Sequence, residues 1–70
     1  MAREATIREV HRYDLHGVLY YRLLVAYNAE PNSVQEVRIS HDSIYDEPAD
    51  GDQILVDAIM NVVTEVRKKS

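Results

Sequence analysis

The stretch "QILVDAIMNVVTEV", residues 53–66, decides the fold, because it supports two incompatible readings. Apolar residues at Ile54, Leu55, Ala58, Ile59, Val62, Val63 and Val66 recur at intervals of one and four, which traces one face of a helix. The abundance of β-branched residues lowers helix propensity and speaks for strands. Length and the flanks favour the helix. Asp50 followed three residues later by Gln53 has the form of a capping box, and its acidic first turn complements the positive end of the helix dipole. Arg67, Lys68 and Lys69 suit the negative end. The spacing therefore predicts a C-terminal helix. Val56 and Met60 widen its apolar sector, and the preceding loop, with Ile44 and Tyr45, is expected to cover them, the alternative being a second contact surface.

Upstream, "HDSIYDEPADGD" (41–52) reads as a polar loop punctuated by Pro48 and Gly51, and "VQEVRIS" (34–40) alternates as a strand. "NAEPNS" (28–33) has the composition of a connection. "TIREVHRYD" (6–14) and "VLYYRLLVAY" (18–27) are rich in β-branched and aromatic residues and flank Asp14-Leu15-His16-Gly17. An Asp in first place and a Gly in fourth suit a type I turn with a G1 bulge, hence a three-residue hairpin loop over 15–17. The expected fold is α+β: a three-stranded antiparallel sheet packed on one C-terminal α-helix, in the order βββα, with residues 1–70 as a single small domain.

That register sorts the side chains into two faces. Ile7, Tyr13, Leu19, Tyr21, Leu23, Val25 and Tyr27, with Val37 and Ile39, form the face expected to meet the helix. Arg8, Val10, Arg12, Val18, Tyr20, Arg22, Leu24 and Ala26, joined by Glu36 and Arg38, form the opposite face, which a single helix leaves uncovered. A face mixing Arg and Tyr with aliphatics has the composition of contact hot spots. The candidate interaction residues are therefore Arg8, Val10, Arg12, Val18, Tyr20, Arg22, Leu24 and Arg38.

Composition bounds the function. A hydrophobic fraction of 46% with 29% charged residues is that of a folded globular chain. A domain of 70 residues has little core, and the lack of cysteine removes disulfides and most zinc sites as reinforcement, which leaves self-association. The N-terminal residues lack the apolar segment of a secretory signal or membrane span, so the expectation is a cytoplasmic protein without a membrane partner. Five arginines balance five acids in residues 1–40, whereas residues 41–70 carry seven acids against three bases, so the whole net charge of −4 lies in the second part.

No pattern of catalytic or cofactor-binding residues emerges. His11, His16 and His41 follow no common metal-ligand spacing. Asp46, Asp50, Gly51 and Asp57 fit part of a calcium-loop template, but Pro48 occupies a ligand position and no helix precedes the loop. His41-Asp42-Ser43 places three catalytic residue types side by side, where a relay needs convergence from separate elements. The reading is a non-enzymatic protein-interaction module, a homodimer, without metal or cofactor. Two alternatives are a nucleic-acid-binding regulator using Arg8, Arg12, Arg22 and Arg38, and an acidic inhibitor or adaptor whose loop over 42–52 meets a basic partner.

Overall fold

Residues 53–66 form a β-hairpin and not a helix. The computed structural model describes residues 2–69, which fold into five strands: β1 (Arg3–Leu15), β2 (Val18–Tyr27), β3 (Val34–Ser40), β4 (Gln53–Ile59) and β5 (Val62–Lys68). A single 3-10 turn covers His41–Ser43, and no α-helix occurs among the described residues. The strands form one antiparallel sheet in the order β3-β2-β1-β4-β5. The expected βββα arrangement is thus corrected to an all-β fold.

The physical reason lies in residues 60 and 61. Met60 and Asn61 have φ of 51° and 68°, two consecutive left-handed residues, which make the two-residue turn that matches the twist of a hairpin. On the flanking strands Val56 faces Val66 directly, and both are buried. A register shift between Asp57 and Ala58 breaks the strict alternation. Two strands joined by a tight turn therefore reproduce the interval of four that also marks a helical face, and the β-branched residues decide between them.

Asp50 caps nothing. It lies in a reverse turn in which the Asp52 N–H donates to the Ala49 carbonyl at 3.1 Å, with Gly51 at φ 89°. The neighbouring Asp52 holds the loop, its carboxylate accepting from the Tyr45 hydroxyl at 2.7 Å and from the Ala49 N–H at 3.1 Å. Those bonds, the Tyr45 one foremost, hold the Asp52 carboxyl below its ordinary range against the opposing effect of burial. Burial and the adjacent Asp52 charge push the Tyr45 phenol up.

The first hairpin turns on His16 and Gly17, with φ of 52° and 80°, so its loop has two residues and not the expected three. Leu15 consequently faces Val18, and Tyr13 faces Tyr20. A bulge at Arg8, between the pairs Ile7–Val25 and Glu9–Leu24, restores the apolar pattern, so that Val10 and not Glu9 packs against the core.

The sheet curls until β3 lies near β5, and Ile44 bridges Val66 in parallel just beyond the 3-10 turn. The inner face expected to pack on a helix is instead covered by the rest of its own sheet. Ile7, Leu23, Val25, Ile54, Val56 and Val66 are fully buried there. Each contributes about 1.5–3 kcal/mol relative to exposure.

Candidate interaction surface

The outer face of β1, β2 and β3 carries a compact group of aromatic and charged side chains. Alternation along β2 sends Tyr21, Leu23 and Val25 inward, which turns Val18, Tyr20, Arg22 and Leu24 outward. Register then sets their neighbours: His11 beside Arg22, Arg22 beside Arg38, Leu24 beside Glu36. Tyr13 and Tyr20 stack directly across the hairpin with centroids 5.6 Å apart and planes 15° from parallel.

Glu36 joins the two arginines. Its carboxylate accepts from Arg22 Nε at 2.5 Å and from Arg38 Nε at 3.0 Å. The bond from Arg22 is the main reason its carboxyl lies below the ordinary carboxylate range; burial opposes the shift, and Arg38 adds to it. His11 lies 3.6 Å from Glu9. The face therefore sets Arg22 and Arg38 against Glu9 and Glu36, two positive groups against two negative. It is a charge-balanced surface with an aromatic end.

Of the candidate residues, the structure brings Val18, Tyr20, Arg22, Leu24 and Arg38 together on this face. Val10 and Arg12 lie on the other side, lining a cleft with Tyr21, Glu47, Pro48, Ala49 and Asp50. Arg8 occupies the bulge. The cause is the loop length: shortening it by one residue turns every β1 side chain between the loop and the bulge to the other face. Tyr13, expected in the core, is thereby on the outer face with His11. The sequence signal for the shorter loop is Gly17 itself, which suits the second place of a two-residue turn.

A second exposed apolar surface includes Met60, for which a second contact is the alternative to coverage by the loop. Ile59, Met60 and Val62, at the tip of the β4–β5 hairpin, are 66%, 91% and 65% exposed. Met60, expected under the loop, is thus the most open of the three, whereas Val56 and Ile44 are buried in the core.

The acidic loop divides. Asp42, Asp46, Glu47 and Asp50 are exposed, while Asp57 of the calcium-like pattern sits on β4 and receives Arg67 Nη2 at 3.1 Å. Among the described residues no group of three or more His, Asp or Glu is placed to hold a metal ion. No described helix is long and apolar enough to cross a membrane. The chain matches no protein-family model, no curated protein and no solved structure.

Proposed function

We propose that this chain is a small non-enzymatic protein-interaction module that meets its partner through the outer face of β1–β2–β3. The observation that carries the reading is the stacked Tyr13–Tyr20 pair beside the Arg22–Glu36–Arg38 bridge, with Leu24 at the far end of that bridge next to Glu36. Tyr and Arg dominate the energetics of protein contacts, and an ion-paired arginine keeps its planar donor fork oriented before a partner arrives. Charge balance on the face favours a protein over nucleic acid, since phosphate binding by counterion release needs an excess of positive charge. The arginines of the nucleic-acid alternative are moreover split, Arg22 and Arg38 lying on one face and Arg12 on the other.

The reading is tested by affinity capture from extracts of the source cells, comparing wild type with Leu24→Asp, Arg22→Gln and Met60→Asp. A partner that withstands nuclease treatment, is lost with Leu24→Asp and is weakened by Arg22→Gln supports it. Retention of the same partner by Leu24→Asp, with loss in Met60→Asp, would move the contact to the hairpin tip and end the proposal.

A further inference from the structure

We propose that two copies of the chain associate by pairing the free edges of their β1 strands about a two-fold axis at Tyr13. Strand β1 has two halves with different surroundings. Arg3 to Thr6 pair with β4, Ala5 and Thr6 also with β2 on the other side, and Ile7 exchanges backbone hydrogen bonds with Gly51 and Asp52 at 2.8 and 2.9 Å. Beyond the bulge, Glu9 to Leu15 have β2 on one side and, among the described residues, no strand on the other.

The two-residue turn tells which backbone groups are free. Leu15 and Val18 flank it and form a hydrogen-bonded pair, as do the pairs two and four residues further on, Tyr13–Tyr20 and His11–Arg22. Val10, Arg12 and Asp14 therefore direct their N–H and C=O groups away from β2, toward the side where no described strand pairs and where the loop over 47–50 borders a cleft at Val10 and Arg12. An exposed row of this kind is a template for another strand.

The side chains on that row favour a second copy. Arg12 and Asp14 are exposed, and among the described residues neither forms an ion pair, although Arg22, Arg38, Arg67 and Lys69 all do. In an antiparallel pairing of β1 with its own copy, centring the axis on Tyr13 sets Arg12 of each chain opposite Asp14 of the other. Two opposite-charge cross-strand pairs form at once, in hydrogen-bonded positions. Centring on Arg12 would oppose two arginines, and centring on Asp14 two carboxylates. The charge pattern thus selects one register, and it is self-complementary as a two-fold interface requires. In that register Tyr13 meets Tyr13 of the second copy in a non-hydrogen-bonded position, where side chains lie closest. The Tyr13–Tyr20 stacks of the two chains then form one row across the axis. The proposed contact face is complete only in the dimer, and this last step alone rests on the function proposed above.

The experiment is solution mass by light scattering, with circular dichroism as the check on folding, at high micromolar concentration. Wild type is expected at twice the 8.1 kDa chain mass. Arg12→Asp and Asp14→Arg, each creating like-charge pairs, are expected to raise the dimer Kd about tenfold or more, and the double variant to restore it. Because the chain has no cysteine, Tyr13→Cys gives a second readout. It is expected to form an intermolecular disulfide on oxidation. Arg12→Cys is not, since the two introduced thiols would lie two residues out of register, beyond bridging distance. A monomeric wild type would overturn the inference. So would a dimer indifferent to both single charge variants, or one broken by Leu24→Asp, which would put self-association on the outer face. Loss of partner capture in Leu24→Asp with the dimer intact separates the two proposals, because only the edge pairing governs mass.

Discussion

Replacing Met60-Asn61 by Asn-Gly should stabilise the protein, and the sign of the change tests the fold at its decisive point. Met60 holds φ of 51° with its side chain 91% exposed, so it bears the cost of the left-handed region without compensation from packing. For a residue with a Cβ that cost is about 1–2 kcal/mol, and Asn meets it more readily through its short polar side chain. Gly at position 61 removes the remaining Cβ strain, offset by about 0.5–1 kcal/mol of extra chain entropy in the unfolded state. The expected net gain is about 1 kcal/mol, or a rise in Tm of about 4–8 °C for a domain of this size. A helix through the same residues predicts the reverse, since Gly in a helix interior costs about 1 kcal/mol and Asn several tenths more. The measurement is reversible thermal unfolding followed by circular dichroism on wild type and the double variant. A lower Tm would refute the hairpin argument.

Two further outcomes follow from the interior and the loop. Leu23→Ala empties a fully buried position at the centre of the sheet and is expected to cost about 2–5 kcal/mol, a large share of the stability of so small a domain, measurable as a shift in urea midpoint. Tyr45→Phe removes the donor that holds the Asp52 carboxyl low, at a cost of about 1 kcal/mol near neutral pH. Because the folded-state pKa of Asp52 is depressed, its contribution is present above the unfolded value of about 4 and is lost as pH falls through the lower folded one. The gap between wild type and Tyr45→Phe should therefore narrow on acidification, and a gap that widens below pH of about 4 would contradict the assigned bond.

How far the sequence could be read depended on where one residue more or less changes the outcome. Alternation in "VLYYRLLVAY" places the β2 side chains from Val18 to Val25 on their observed sides, and β3 follows, because both strands are free of bulges; Ala26, expected on the uncovered face, is instead buried. Strand β1 was read correctly at Ile7 and wrongly at Tyr13, since the turn length and the bulge at Arg8 each shift parity by one. At 53–66 the apolar spacing was real but ambiguous. Its resolution lay in the left-handed conformations of Met60 and Asn61, for which Asn was the only hint and Met a misleading one. The role of Asp52 was masked by Asp50, whose spacing from Gln53 imitated a cap.

The bulge offers the sharpest test of the claim that side-chain parity governs β1. Deleting Arg8 removes the extra residue and leaves Ile7 opposite Val25 and Glu9 opposite Leu24 in an uninterrupted ladder, with Val10 still against Leu23. Deleting His11 also shortens the strand by one and can also absorb the bulge, with Arg12 and the turn unmoved. It then sets Val10 opposite Arg22 on the outer face and brings Glu9 opposite Leu23, against the core. The two variants have the same length and the same ladder, and differ in whether an aliphatic or a carboxylate faces inward. Deletion of Arg8 should cost no more than about 1 kcal/mol, in the range of a surface change. Deletion of His11 loses the burial of Val10 and desolvates a charge, and should be less stable than the first by about 2 kcal/mol or more. Equilibrium unfolding in urea compares them directly. Equal midpoints would mean that β1 beyond the bulge is not held by its inward side chains, and the register that underlies both the outer face and the free edge would have to be redrawn.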